Sequence, residues 1–220
     1  MKLRLLCLIL LLCSVCVFAK QDVPKEWAEW SQIWREGASQ TDLPHVLLIG
    51  DSIVHGYRDK VQEKLGGKFY VDKLATSRSI DQDYYWKQID MVINDEDYDI
   101  ILFNFGLHGF HIGINDYSKG MNRVADILKK TKAKIGFIST TPLAFLNEQY
   151  KELNNCVLER NAVAKRIAEK NKFEYIDLYN LVYGIENIRA EGDAYHYNSA
   201  GVEMQAQFIS EKISEMYSKK

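Results

Sequence analysis

Ile100-Ile101-Leu102-Phe103 reads as a strand with no polar residue along it, and Ile135-Gly136-Phe137-Ile138 reads the same way. Successive side chains of a strand point to opposite faces, so an unbroken apolar run must be covered on both. Parallel sheets sandwiched between helices meet that condition. Working outward from these two stretches, the period-2 and period-3.6 patterns alternate along the chain. Strands are expected at Val46–Ile49, Phe69–Leu74, Ile100–Phe105, Lys134–Ser139 and Phe173–Leu178. Helices are expected at Val54–Leu65, Asp83–Ile93, Tyr117–Lys130, Glu148–Asn171 and Ala200–Tyr217. Crossovers of this length suit right-handed β-α-β units, so the class is α/β with a parallel sheet. In such sheets ligands bind outside the carboxyl ends of the strands, which directs attention to the residues that follow each strand. Strand order is not legible at this level.

The ends and the composition narrow the class further. Lys2 and Arg4 precede an apolar run that ends in Val17-Phe18-Ala19, followed at once by Lys20-Gln21-Asp22. This is the pattern of a secretory signal peptide cleaved after Ala19, and it is too short for a stable membrane span. The expected destination is therefore secreted or periplasmic. A lipoprotein site at Cys13 or Cys16 is disfavoured, because Leu12 and Val15 stand where a small residue is needed. Cleavage removes three of the four cysteines and leaves Cys156, so neither a disulfide nor a cysteine metal site is expected. Losing Lys2 and Arg4 takes the formal net charge two units below its starting value of −2, which offers no footprint for nucleic acid. The expected organisation is a signal peptide at 1–19, an N-terminal extension at 20–44 and one domain at 45–220. In the extension, Trp27, Trp30 and Trp34 recur at i, i+3 and i+7, which predicts a short helix over Pro24–Arg35. The stripe reads as a face that docks this helix on the domain, with stacking on sugar rings as the alternative.

Gly50-Asp51-Ser52 follows the first strand and precedes a helical pattern. A serine at that turn exposes its hydroxyl, and its own N–H belongs to the unpaired donors of the helix N-terminus, which can hold negative charge. The competing reading is that Asp51 or Ser52 only caps the helix. A nucleophile needs a base, and Asp193-Ala194-Tyr195-His196, between the last strand and the last helix, supplies one. A carboxylate three residues before an imidazole can fix its tautomer and stabilise the imidazolium it forms.

Gly50-Asp51-Ser52 near one end and Asp193-x-x-His196 near the other resemble the first and last motif blocks of the SGNH (GDSL-type) hydrolases, with Ile53 in place of the usual leucine. The resemblance implies a flavodoxin-like three-layer α/β/α sandwich with a five-stranded parallel sheet. It also implies ester hydrolysis through an acyl-serine, with Ser52 as nucleophile and His196 and Asp193 as its base pair. In that family a glycine N–H and an asparagine side chain complete the oxyanion hole. Here the second-strand exit, Ala75-Thr76-Ser77-Arg78-Ser79, has no glycine, and a main-chain donor at Thr76, Ser77 or Arg78 is expected, Ser77 by preference. At the third-strand exit, Asn104-Phe105-Gly106-Leu107-His108, the alignment puts His108 where asparagine is expected; a neutral imidazole can donate one hydrogen bond. Asn104 is the alternative. Gly113-Ile114-Asn115-Asp116 matches the family block literally but reads as the cap of the next helix.

His108, His111 and Asp116 read as loop residues that shape a pocket rather than a metal site, and no cofactor is expected. His55 reads as pocket wall or surface. Trp86 and Tyr84-Tyr85 follow the second strand, where they would rim the pocket. The expected activity is esterase action on short acyl groups, such as acetyl on carbohydrate, with a small-molecule or glycan ester as partner. An acyltransferase on the same site, and a carbohydrate-binding protein without catalysis, are the rival readings.

Overall fold

The computed structural model describes residues 23–219; the expected signal peptide lies outside them. In chain order the elements are β1 (Ser31–Trp34), β2 (His45–Gly50), α1 (Ser52–Leu65), β3 (Tyr70–Thr76), α2 (Asp83–Asn94) and β4 (Ile100–Phe103). Then follow α3 (Ile114–Leu128), β5 (Lys134–Ile138), α4 (Glu148–Asn171), β6 (Glu174–Ile176), α5 (Leu178–Val182) and α6 (Ser199–Ser218). The sheet runs β1-β3-β2-β4-β5-β6. All pairs are parallel except β1 with β3. The five expected strands thus form the parallel sheet in doubly wound order, and a sixth, antiparallel strand is added at one edge. β2 lies between β3 and β4, so strand order reverses there, and the crevice opens at the carboxyl ends of β2 and β4.

Alternation along single strands explains the layers. Val46 and Leu48 of β2 face one helix layer, where α1 and α6 contribute Val54, Tyr57, Val61, Ile209, Ile213 and Met216. Leu47 and Ile49 face the other, where α2, α3 and α4 contribute Ile89, Val92, Val124, Leu128, Val163 and Ile167. Ile100 and Leu102 divide from Ile101 and Phe103 in the same way. Both faces of these strands are therefore apolar by necessity, as Ile100–Phe103 required.

The tryptophan segment corrects the expectation. Pro24–Arg35 forms no helix; its end is β1, paired Ser31 with Thr76 through Trp34 with Lys73. Trp30 and Trp34 are four apart, a spacing that suits one face of a strand as well as one face of a helix. What decides is the open edge of β3, whose unpaired backbone groups β1 satisfies. The stripe does not dock as a unit: Trp27 is fully exposed at 104% and Trp34 is 54% exposed, with Trp34 under the Arg58 guanidinium. Two smaller differences stand beside it. α3 starts at Ile114 with Gly113 at its cap and no side-chain cap, so neither Asn115 nor Asp116 has that role. α5 was not foreseen. Among the described residues no helix is long and apolar enough to cross a membrane.

One buried cation organises the loop after β4. Arg160 of α4 is 0% exposed. Its guanidinium donates to the carbonyls of Gly106 (2.9 Å), His108 (2.9 Å), Gly109 (2.6 Å) and Ile112 (3.4 Å). It also lies over the rings of Phe110 and Tyr117. No carboxylate among the described residues pairs with it. The loop needs glycine twice: a Cβ at Gly106 would stand 1.8 Å from Thr140 Oγ1, and Gly109 has φ +64°. Replacing Arg160 with Met keeps the bulk and strands the four carbonyls. Arg160→Met is expected to cost about 3 kcal/mol, because lost partners leave buried polar groups unpaired. In thermal unfolding that is roughly 6–12 °C for a chain of this size; a melting point within 2 °C or so of the parent would contradict this role for Arg160.

Candidate active site

Asp51 and Ser52 divide the work that the sequence left ambiguous. Asp51 sits in extended backbone and its Oδ1 accepts from the Ile53 N–H at 2.9 Å, so Asp51 caps α1. Ser52, the first residue of the helix, keeps its hydroxyl for another partner. Its N–H lies among the donors that a helix leaves without an internal acceptor.

That other partner is His196, whose Nε2 is 2.8 Å from Ser52 Oγ. His196 Nδ1 is 2.6 Å from Asp193 Oδ2. A carboxylate only accepts, so Nδ1 carries the proton and Nε2 presents its lone pair to the serine O–H. Asp193 Oδ1 also accepts from the N–H groups of Tyr195 (2.7 Å) and His196 (3.0 Å). Burial works against the Asp193 charge, but the bonds from His196 and Tyr195 outweigh it and hold the carboxyl below its ordinary value. The turn is clamped at both ends. Arg189 donates to the carbonyls of Tyr195 (3.0 Å), Ala194 (3.3 Å) and Pro142. Asn198 caps α6 through the N–H groups of Ala200 and Gly201.

The oxyanion candidates separate by what their donors already hold. Ser77 does not have a free main-chain donor: its N–H is bonded to the Trp30 carbonyl at 3.1 Å, continuing the pairing of β1 with β3. Its Oγ accepts from the Trp30 N–H. The Arg78 N–H goes to Thr76 Oγ1. This corrects the assignment of Ser77, because the edge strand takes the donor. Asn104 is also spent: both amide hydrogens go to β5 and its exit, at Ile138 O (2.9 Å) and Thr140 Oγ1 (3.0 Å). Asn115 is an exposed residue in the first turn of α3. His108 remains. Its Nδ1 is 2.7 Å from Glu26 Oε1, and its buried Nε2 has no protein partner. Burial pulls its pKa down, yet the Glu26 contact and the charges of Asp51 and Glu26 raise it overall. The His108 loop follows β4, which pairs in parallel with β2, the strand that leads into Ser52.

The remaining sequence candidates go elsewhere. His111 pairs with Asp81 at 2.7 Å. His55 is exposed and pairs with Lys73 at 2.8 Å; burial and the Lys73 charge lower its pKa. Tyr85 is in the core, and Trp86 packs beside it with Arg123 over its ring, so neither rims the site. Only Tyr84 is exposed, over Arg78. Among the described residues, no group of three or more His, Cys, Asp or Glu side chains is placed to hold a metal ion. A wide cleft at the amino ends of β4 and β5, lined by Asp95–Asp99 and Lys130–Lys134, contains no nucleophile paired with a base. Sequence reading missed Glu26, Arg160 and Arg189. Glu26 acts across 82 positions of sequence, and neither arginine lies in a motif.

No family model matches the sequence, and no curated protein matches it. Solved structures do match. A lipase/acylhydrolase from Enterococcus faecalis superposes with a TM-score of 0.67 at 17% identity, covering 79% of this chain and 96% of that one. A carbohydrate acetylesterase from Sinorhizobium meliloti gives 0.65 at 13% identity, covering 79% and 99%. A protein from Slackia heliotrinireducens, described as an SGNH hydrolase, gives 0.60 at 16% identity, covering 78% and 100%. The sheet order, the helices on both faces and these superpositions together give this chain the SGNH-hydrolase fold.

Proposed function

We propose that the protein is a serine esterase that removes short acyl groups from carbohydrate, acting outside the cytoplasm. The observation that carries this reading is the continuous chain from Ser52 Oγ through His196 to Asp193, at 2.8 Å and 2.6 Å. Ser52 attacks the ester carbonyl while His196 Nε2 takes its proton, and Asp193 stabilises the resulting imidazolium. The tetrahedral oxyanion is held by the Ser52 N–H, with the α1 dipole behind it, and by His108 Nε2. His196 then returns the proton to the departing alcohol, and water releases the acyl group by the reverse path.

Support for the acyl size comes from the small cleft beside Glu26, about 60 Å³, lined by Ser77, Ser79, Gln82 and His111 among others. Such a polar lining suits a short acyl group or sugar hydroxyls better than an alkyl chain. Trp27 stands fully exposed next to Glu26, a surface on which a sugar ring can stack. Among the matching folds is one described as an acetyl xylan esterase. The extracytoplasmic part of the reading rests on the pattern of Met1–Ala19. N-terminal sequencing of the exported chain checks it, with a start near Lys20 expected.

Ser52→Ala is expected to abolish labelling by a fluorophosphonate probe and to lower 4-nitrophenyl acetate hydrolysis by about 10⁴-fold or more. A parent chain that stays unlabelled would favour binding without catalysis. Asp193→Asn changes which nitrogen of His196 carries the proton and should lower kcat by about 10³–10⁴-fold at little cost in fold. Across 4-nitrophenyl acetate to decanoate, turnover is expected to fall steeply with acyl length. Product analysis with a glycan acceptor present separates hydrolysis from acyl transfer.

A further inference from the structure

The Glu26–His108 contact changes how His108 can act. Glu26 Oε1 is 2.7 Å from Nδ1, and a carboxylate accepts, so Nδ1 holds a proton. A neutral imidazole has only one, which would leave Nε2 as an acceptor and repel an oxyanion. Nε2 donates only when the ring carries both protons. Nε2 is buried and has no protein partner, while Ser77 and Asn104 are already engaged. A buried donor left unpaired is costly, and it is tolerated where a ligand completes it.

We propose that His108 donates to the oxyanion as an imidazolium ion-paired with Glu26, so that the N-terminal segment completes the active site. This rests on the reading of Ser52 as an ester-cleaving nucleophile. Glu26 is a positioning residue: it orients the ring and holds its charge without meeting the substrate. His108 keeps both protons through the cycle, and only its Nε2–H···O bond strengthens as charge develops on the carbonyl oxygen. The segment is itself tied down beside the site. Glu29 pairs with Arg78 and accepts from Gln82 at 2.7 Å, and Trp30 bonds Ser77 in both directions. Glu26 therefore arrives with little left to order.

Three charged groups bear on the His108 ring and its backbone. Glu26 from the N-terminal segment and Asp51 from the end of β2 favour its cationic form. Burial of the ring opposes it, and Arg160 of α4 is bonded to the His108 carbonyl. The balance raises the His108 pKa above the ordinary histidine value. The donating form is thus complete at low pH and is lost as pH rises through that raised value. Activity falls on the alkaline side as His108 loses its second proton.

Two measurements test this. The first is an NMR titration of the His108 ring, which is independent of turnover. The parent should titrate above an ordinary histidine, and Glu26→Gln about one pH unit lower than the parent. The second is the pH profile of kcat/KM on 4-nitrophenyl acetate. Glu26→Gln should move the alkaline limb down by the same interval. His108→Gln, which donates without titrating, should erase that limb, and His108→Ala should lose about 100-fold or more. A parent that hydrolyses ester with no alkaline limb, or a limb that Glu26→Gln does not move, overturns the proposal and leaves the esterase reading standing. A parent that hydrolyses no ester overturns both.

Discussion

The central strands are buried on both faces, and this constraint arranges everything else. With Val46–Ile49 and Ile100–Phe103 closed by apolar side chains above and below, no polar group stands on these two strands except at their ends. The reversal of strand order between β3 and β4 opens a crevice at one end only. Ser52 and the His108 loop emerge there as immediate neighbours, and the His196 turn folds over from beyond β6. The apolar interior and the polar site are two consequences of one packing requirement.

The site is then made exact by polar groups that touch no substrate. Asp51 takes the capping role and frees the Ser52 hydroxyl. Asp193 spreads its charge over three N–H donors, so its geometry does not depend on His196 alone. Arg189 and Arg160 hold two loops by their carbonyls. Burying a guanidinium without a carboxylate is expensive. Four carbonyls and two aromatic faces offset the cost for Arg160, in exchange for a fixed path from Gly106 to Ile112. That path determines where the His108 ring can stand.

The N-terminal segment links edge protection to chemistry. β1 exists because β3 would otherwise expose a row of unpaired backbone groups. Its docking uses the Ser77 N–H, which leaves that group no free hydrogen. The same docking brings Glu26 to His108.

Ser52, His196 and Asp193 were legible from their spacing and from their places after strands, because local chain direction at a strand end is set by nearest-neighbour residues. The five parallel strands and their flanking helices were legible for a related reason: periodic burial leaves its mark in composition. The Trp27, Trp30 and Trp34 stripe was not, since a four-residue interval fits a strand face and a helix face equally, and only the open edge of β3 decides between them. Ser77 and Asn104 carried the right donors in the right loops. Whether a donor is free depends on partners 47 and 34 residues away in sequence, which no local pattern encodes. The sequence by itself determined the layered fold and singled out Ser52, Asp193 and His196; the tertiary structure decided which groups remain unpaired around them, because hydrogen-bond satisfaction is a property of the folded whole.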